Sequence, residues 1–404
     1  MSLWQMLSIG VILFSGLSMI FLVSRFGKFN LVRRIAGERR SVRIVLSIAL
    51  TAALTALLYY LTDFINMMIC LLHIVVIWIL CDVLCAVVRR IRKGISGKPE
   101  EAVLPSPGTL GYQYGGKRRL RIYTAGICAI LFSAAWLGYA WYTAHHVIRT
   151  EYTVETEKDL GGKPYRIAMF ADSHIGATFH SWEFAEYIQE IELAQPDALV
   201  IVGDFVDDDT DIEDMKACCR ALREISIKDG IYFVYGNHDR GYYPAAYRGY
   251  DGAVLEEELE KNGVTVLKDE SLVLDGRLTL IGREDARYLT RASMEELLER
   301  LPSRETDPEG AEAASETFRV VLDHEPHDYA AQEKSGVDLV LSGHTHGGWL
   351  FPFNRYSEIM GIDDKVYGME KRSDTTFIVT SGISEWALKF RTGCVAEWVL
   401  ITVE

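Results

Sequence analysis

The sequence predicts an all-α membrane anchor over residues 1–150 followed by an α/β domain over residues 151–404. Three observations predict it. Four long apolar stretches fall in the first part. Charge divides with the same boundary: residues 1–150 carry 17 Lys+Arg and 5 Asp+Glu, a net of +12, whereas residues 151–404 carry 25 and 51, a net of −26. The second part then alternates short apolar runs of strand character with helix-like stretches, the pattern of an α/β fold.

The four candidate spans are residues 3–23, 44–61, 65–88 and 122–142. The first lacks a basic leader and is followed by Arg25 and Lys28, so it reads as a retained span rather than a cleaved signal. The loop after it holds Arg33, Arg34, Arg39, Arg40 and Arg43, and the loop after the third span holds a second basic set from Arg89 to Arg121. Basic loops stay in the cytoplasm. Four spans therefore place the α/β domain on the extracytoplasmic side, and one span more or fewer inverts that. His73 and Asp82 lie in the third span with no charged partner visible in the other spans, and they read as a helix-facing group and an end-of-span group. Lys98–Gly116, with Pro105 and Pro107, reads as a cytoplasmic loop.

In the α/β part, runs at Tyr165–Phe170, Ala198–Val202, Ile231–Tyr235, Phe318–Leu322 and Val337–Leu341 read as strands. Helix-like stretches lie at Trp182–Ala194, Ile212–Ile225 and His327–Ser335. A polar motif follows every one of those strands: Asp172-Ser173-His174, Gly203-Asp204-Phe205-Val206-Asp207, Gly236-Asn237-His238-Asp239, His324, and Gly343-His344-Thr345-His346-Gly347-Gly348. Ligand sites of α/β sheets gather at the carboxyl ends of strands, so the five motifs are expected to meet at one rim. Thr306–Thr317 reads as an exposed insertion without chemistry.

The motifs supply carboxylate, imidazole and carboxamide groups, the donors that hold two divalent ions side by side. A phosphoester repels attack by its own negative charge. Paired cations offset that charge and acidify a water. His324 is preferred to its neighbour His327 because it follows a strand directly. His145, His146 and His180 sit in no motif and read as surface groups. The seven cysteines form no metal pattern and read as free thiols. The acidic balance of residues 151–404 argues against nucleic acid as a partner.

These motifs resemble those of the calcineurin-like metallophosphoesterases from about Tyr165 onward. The resemblance implies two packed sheets flanked by helices. It implies one metal held by Asp172, His174, Asp204 and His346, and a second held by Asp204, Asn237, His324 and His344, with Asp204 as the bridge. It implies that His238 contacts the phosphate and the leaving oxygen, with Asp207 as its carboxylate partner, and that Asp239 supports the turn. The ions would be Mn²⁺, Fe or Zn²⁺. Gly382, Arg391 and Glu397 resemble a membrane-associated bacterial branch of the family, which implies a lipid-linked or envelope phosphoester as substrate. Two departures stand out. Asp208 occupies the position where protein phosphatases of the superfamily carry Arg, which disfavours a phosphoprotein. Trp349 follows the final Gly-Gly where the branch often has Gln.

Arg240, Tyr242 and Trp349 are candidate substrate contacts. The leading expectation is a membrane-anchored dinuclear phosphodiesterase or phosphomonoesterase. Two alternatives stand beside it: a cytoplasmic-facing nucleotide-sugar lipid pyrophosphatase, which needs the opposite topology, and a non-catalytic sensor of a phosphorylated ligand, which would not need His238 or Asp207.

Overall fold

The computed structural model of the chain describes residues 3–95, 122–301, 317–348 and 350–404. Within it the chain divides into two units, Met1–Tyr139 and Ala140–Glu404. The stretch Lys98–Gly116 and residues 306–316 of the expected insertion lie outside the described residues, and Thr317, expected to be exposed, is buried.

The first unit is helical: α1 (Leu3–Phe26), α2 (Asn30–Ala36), α3 (Arg40–Leu61), α4 (Phe64–Ile95) and most of α5 (Thr124–His145). At 1.5 Å per residue, a 22-residue helix reaches about 33 Å, enough for a hydrocarbon core of about 30 Å. By length and composition α3, α4 and α5 could each cross a membrane, and the described apolar part of α1 is Phe14–Phe26. α4 runs past the expected end at Val88, because Arg and Lys are good helix formers and no helix breaker intervenes before Gly94. Leu22, Leu71, Trp78 and Ala129 form this unit's packed interior. Asp82 has the partner that the linear reading did not find. Arg25 Nε from α1 lies 2.8 Å from one carboxylate oxygen, and Tyr123 Oη donates to the other at 2.8 Å. His73 Nδ1 contacts the Ile69 carbonyl of its own helix at 2.8 Å.

Among the described residues the second unit has twelve strands in two six-stranded sheets. The first has the order β1 (Ile148–Val154), β12 (Glu397–Val403), β2 (Tyr165–Phe170), β3 (Ala198–Val202), β4 (Ile231–Val234), β5 (Val264–Val266). The second has the order β10 (Gly368–Arg372), β11 (Thr375–Val379), β9 (Leu339–Ser342), β8 (Phe318–Leu322), β7 (Leu278–Gly282), β6 (Glu270–Leu274). β2 through β5 are parallel, β12 runs against β2, and β7, β8, β9 and β11 are parallel.

Strand alternation divides the buried apolar side chains of the central strands among three cores. Ile167, Met169, Val200, Val202 and Val234 of the first sheet meet Leu280, Val320, Leu322 and Leu341 of the second. The odd neighbours Ala168, Phe170, Leu199 and Ile201 pack outward against α6 (Ser181–Leu193), α7 (Ile212–Glu224) and α9 (Gly252–Lys261). Ile281, Val321 and Val340 pack outward beneath α10 (Met294–Glu299) and Tyr329. Central strands buried on both faces need continuous apolar runs, and such runs are what the sequence carries there. The result is a four-layer sandwich, helices on sheet on sheet on helices.

Candidate metal centre

The rim where the carboxyl ends of β2, β3, β4, β8 and β9 converge is drawn from both sheets. Asp172 follows β2, Asp204 follows β3, Asn237 follows β4, His324 follows β8 and His344 follows β9. The backbone is sharply bent at this rim. Asp172, His174, Asp204, His344 and His346 all have positive φ, between 35° and 72°. Such conformations cost roughly 1–3 kcal/mol each and persist only where surroundings enforce them. Here hydrogen bonds enforce them. His344 N–H donates to both carboxylate oxygens of Asp172 at 3.0 Å, and His238 N–H donates to Asp204 Oδ1 at 2.8 Å. The Asp239 carboxylate accepts from the N–H groups of Asp204, Phe205, Val206 and Gly236. It ties the turn after β3 to the turn after β4.

Among the described residues three groups of side chains bring ligand atoms within 4.8 Å of one another: Asp172 with His174 and His346, Asp204 with His324 and His344, and, sharing His344, His327 with Asp363. The imidazoles are oriented from behind. His324 Nδ1 lies 2.7 Å from the Val202 carbonyl, which makes it the N–H donor and leaves Nε2 bare, 3.2 Å from Asp204 Oδ2. His346 Nδ1 faces the Ser384 carbonyl at 3.2 Å, and its Nε2 lies 3.7 Å from Asp172. His174 Nε2 lies 3.6 Å from Asp204 Oδ2. His344 Nδ1 and Asn237 Oδ1 are 2.8 Å apart, and Asn237 Nδ2 donates to Tyr242 Oη at 2.6 Å.

Buried polar atoms normally find partners. At this rim His174 Nδ1 and Nε2, His324 Nε2 and His238 Nδ1 have no hydrogen-bond partner among the described residues. Lone pairs of neutral rings converging on two buried carboxylates are the donor set a pair of divalent cations requires, so the residues present fit the group. The electrostatics agree. Burial pushes the carboxyl of Asp172 up to about 8 and drives the imidazoles of His174 down to about 3 and His344 down to about 4. Burial likewise holds His346 well below its ordinary value. Burial opposes charge on Asp204 too, but the imidazolium of His324 beside it holds it well below the ordinary carboxylate range. Without cations a protonated His324 stabilises the Asp204 carboxylate, whereas burial disfavours the charged form of Asp172.

His238 stands at the mouth, its ring 4.9 Å from those of His174 and Tyr242 and 5.4 Å from Trp386. Asp207 departs from the expected pairing with His238. Its Oδ2 faces His174 Nδ1 at 3.7 Å, while its Oδ1 accepts from Asp209 N–H at 2.8 Å. The short loop between Asp204 and Thr210 turns the carboxylate inward, beneath the site. Arg240 also departs from expectation. Its guanidinium forms a two-pronged ion pair with Glu284, at 2.6 and 3.0 Å, between the rings of Tyr235 and Tyr288. It is committed to the protein rather than offered to a substrate. Tyr242 does face the site, and Trp349 lies outside the described residues. His327 pairs with Asp363 at 2.8 Å beside His344. His180 pairs with Asp214 at the surface. All seven cysteines are free.

Linear reading missed a buried ion pair behind His346. Glu385 Oε2 lies 3.5 Å from His346 Nδ1, and Glu385 is paired with Arg391, which also donates to the carbonyls of Ser384, Gly382 and Val395. Arg391 had stood out only as part of a tail resemblance. Trp386, next to Glu385, was missed altogether.

A two-sheet α/β sandwich with carboxylates and imidazoles gathered at its strand ends defines a class, the metal-dependent phosphoester hydrolases. Residues 165–348 match the calcineurin-like phosphoesterase model. The chain is 31% identical over 263 residues to an uncharacterized metallophosphoesterase of Bacillus subtilis (strain 168), a match covering 63% of this chain and 85% of that protein. It is 28% identical over 243 residues to an uncharacterized metallophosphoesterase of Campylobacter jejuni, covering 60% of each. It is 28% identical over 234 residues to a transmembrane protein with metallophosphoesterase domain from Danio rerio, covering 56% of this chain and 50% of that one. The chain belongs to the calcineurin-like metallophosphoesterases, a dimetal-dependent family of phosphoester hydrolases. Its apolar helices and its membrane-protein relatives associate it with a membrane.

Proposed function

We propose that this enzyme hydrolyses a phosphodiester or phosphomonoester of a membrane-associated or envelope substrate, on the extracytoplasmic face. The observation that carries the reading is the pair of buried imidazole nitrogens, His174 Nε2 and His324 Nε2, that face Asp204 without a hydrogen-bond partner among the described residues. Asp172, His174, Asp204 and His346 would hold one ion, and Asp204, Asn237, His324 and His344 the other. Bound Mn²⁺, Fe or Zn²⁺ would offset phosphoryl charge and supply an acidified water. His238 would donate to the leaving oxygen from the mouth of the site. Tyr242 would aim the Asn237 carboxamide through the 2.6 Å hydrogen bond that fixes its oxygen toward His344. Asp207, beneath His174, would orient that ring rather than His238.

The test is metal content and hydrolysis of bis-p-nitrophenyl phosphate and p-nitrophenyl phosphate by the full chain in Mn²⁺, with Asp204→Asn alongside. Two ions per chain and a diesterase activity lost in Asp204→Asn are expected. Two ions with neither ester cleaved would favour a ligand-binding role and overturn the hydrolytic one.

A further inference from the structure

We infer that the segment Leu350–Ile362, together with the last turn of α5, docks into the interfacial layer of a lipid bilayer and sets the metal centre at head-group depth, so that the phosphoester it receives is carried on a lipid. The substrate class rests on the hydrolase reading above; the docking does not.

The segment directly follows the motif that contributes His344 and His346, and it is unusually apolar for an exposed loop. Phe353 is 70% exposed and Ile359 79%, and Phe351, Met360 and Ile362 are exposed beside them. Soluble surfaces rarely gather large apolar side chains in one short segment unless something covers them.

What covers them is indicated by the neighbouring chain. Residues 391–393 bridge the loop to the end of α5. On one side Arg391 N–H donates to the Ala140 carbonyl at 2.9 Å, and Thr143 Oγ1 donates to the Arg391 carbonyl at 2.5 Å. On the other side Phe351 N–H donates to Thr392 Oγ1 at 2.9 Å, and Asn354 packs onto Gly393. α5 is long and apolar enough to cross a membrane, and its last turn exposes Trp141 and Tyr142. These are the residue types that settle at the membrane–water boundary.

The sheet places the metal rim at the same level. β1 begins at Ile148, just after α5, and pairs with Glu397 at the start of β12. β12 runs against β2, so both starts lie at the edge where β2 ends and Asp172 follows. The end of a candidate span, an apolar loop and the metal rim thus share one edge of the second unit. A bilayer is the occupant this continuity selects over a second copy of the chain.

The experiment uses the full chain in nanodiscs of phosphatidylethanolamine and phosphatidylglycerol. A p-acetylphenylalanine is introduced as Phe353→p-acetylphenylalanine or Ile359→p-acetylphenylalanine and carries a nitroxide. Leu193, 81% exposed at the far end of α6, takes the same label as control. Power saturation with oxygen and with a nickel chelate reads depth. Positions 353 and 359 are expected to be oxygen-accessible and shielded from nickel, with 193 the reverse. Nickel access at 353 and 359 equal to that at 193 would overturn the docking. Shielding from both reagents would also overturn it, because protein would then cover the loop. Cleavage of bis-p-nitrophenyl phosphate by the same samples separates the two readings: cleavage without bilayer depth removes the docking alone, and depth without cleavage removes the hydrolase alone.

Discussion

Individual side chains at the rim divide into those that would touch an ion, those that would touch substrate and those that hold the others in place. The ring of His238 is flanked by those of His174, Tyr242 and Trp386. Replacing it should leave the ligand set intact. His238→Ala is expected to keep two ions per chain by metal analysis while kcat falls by about 10²–10⁴; loss of metal in that variant would remove the assigned role. The pair behind His346 behaves differently. Arg391 and Glu385 are both fully buried, so removing one charge strands the other. Arg391→Met is expected to cost about 3–5 kcal/mol, seen as a depressed Tm, and the double variant Glu385→Gln/Arg391→Met should recover part of it. Equal Tm values in single and double variants would mean the two charges do not depend on each other.

Strand ends carry the function, and they explain what could be read from the chain and what could not. The candidate ligands are legible because each sits within a few residues of an apolar run, and residue types with metal-binding chemistry are conspicuous there. Glu385 and Trp386 were not, because they lie on the loop between β11 and β12, and only closure of the second sheet brings that loop behind His346. Arg240 was misplaced because nearness to a motif in sequence does not say which way a side chain leaves a turn; Glu284, on the neighbouring loop after β7, captures it. Arg25 was read as a loop residue, yet α1 continues far enough to present it to Asp82. The turns themselves are tightly built. Gly203 has φ +78°, and a Cβ there would lie 2.5 Å from His324 Nδ1. Gly203→Ala should therefore break the bond that orients His324 and weaken metal binding about 10–100-fold, as titration by calorimetry would record. Unchanged affinity would show that His324 is held by other means.

At the scale of the whole molecule, metal and membrane are the two external partners. Candidate ligands drawn from both sheets would make bound ions a link between them. Saturating Mn²⁺ at a hundredfold over Kd should stabilise the chain by about 2.7 kcal/mol, raising Tm, and chelation should reverse it. A Tm indifferent to Mn²⁺ would argue against a built site. Orientation is tested by fusing a reporter active only outside the cytoplasm to the C-terminus; signal is expected, and silence would place the sandwich inside and restore the pyrophosphatase alternative. The order of the first sheet carries one more consequence, for biosynthesis. β12 lies between β1 and β2, pairing with both, although it follows the other described strands in the chain. While the ribosome is still translating, β1 and β2 face an unfilled gap, and the rim beside them has no floor. The nascent domain must wait, open-edged, until residues 397–403 emerge to fill the gap between its first two strands. A chain stopped even a few residues short of that strand would leave both edges unpaired and available to other chains.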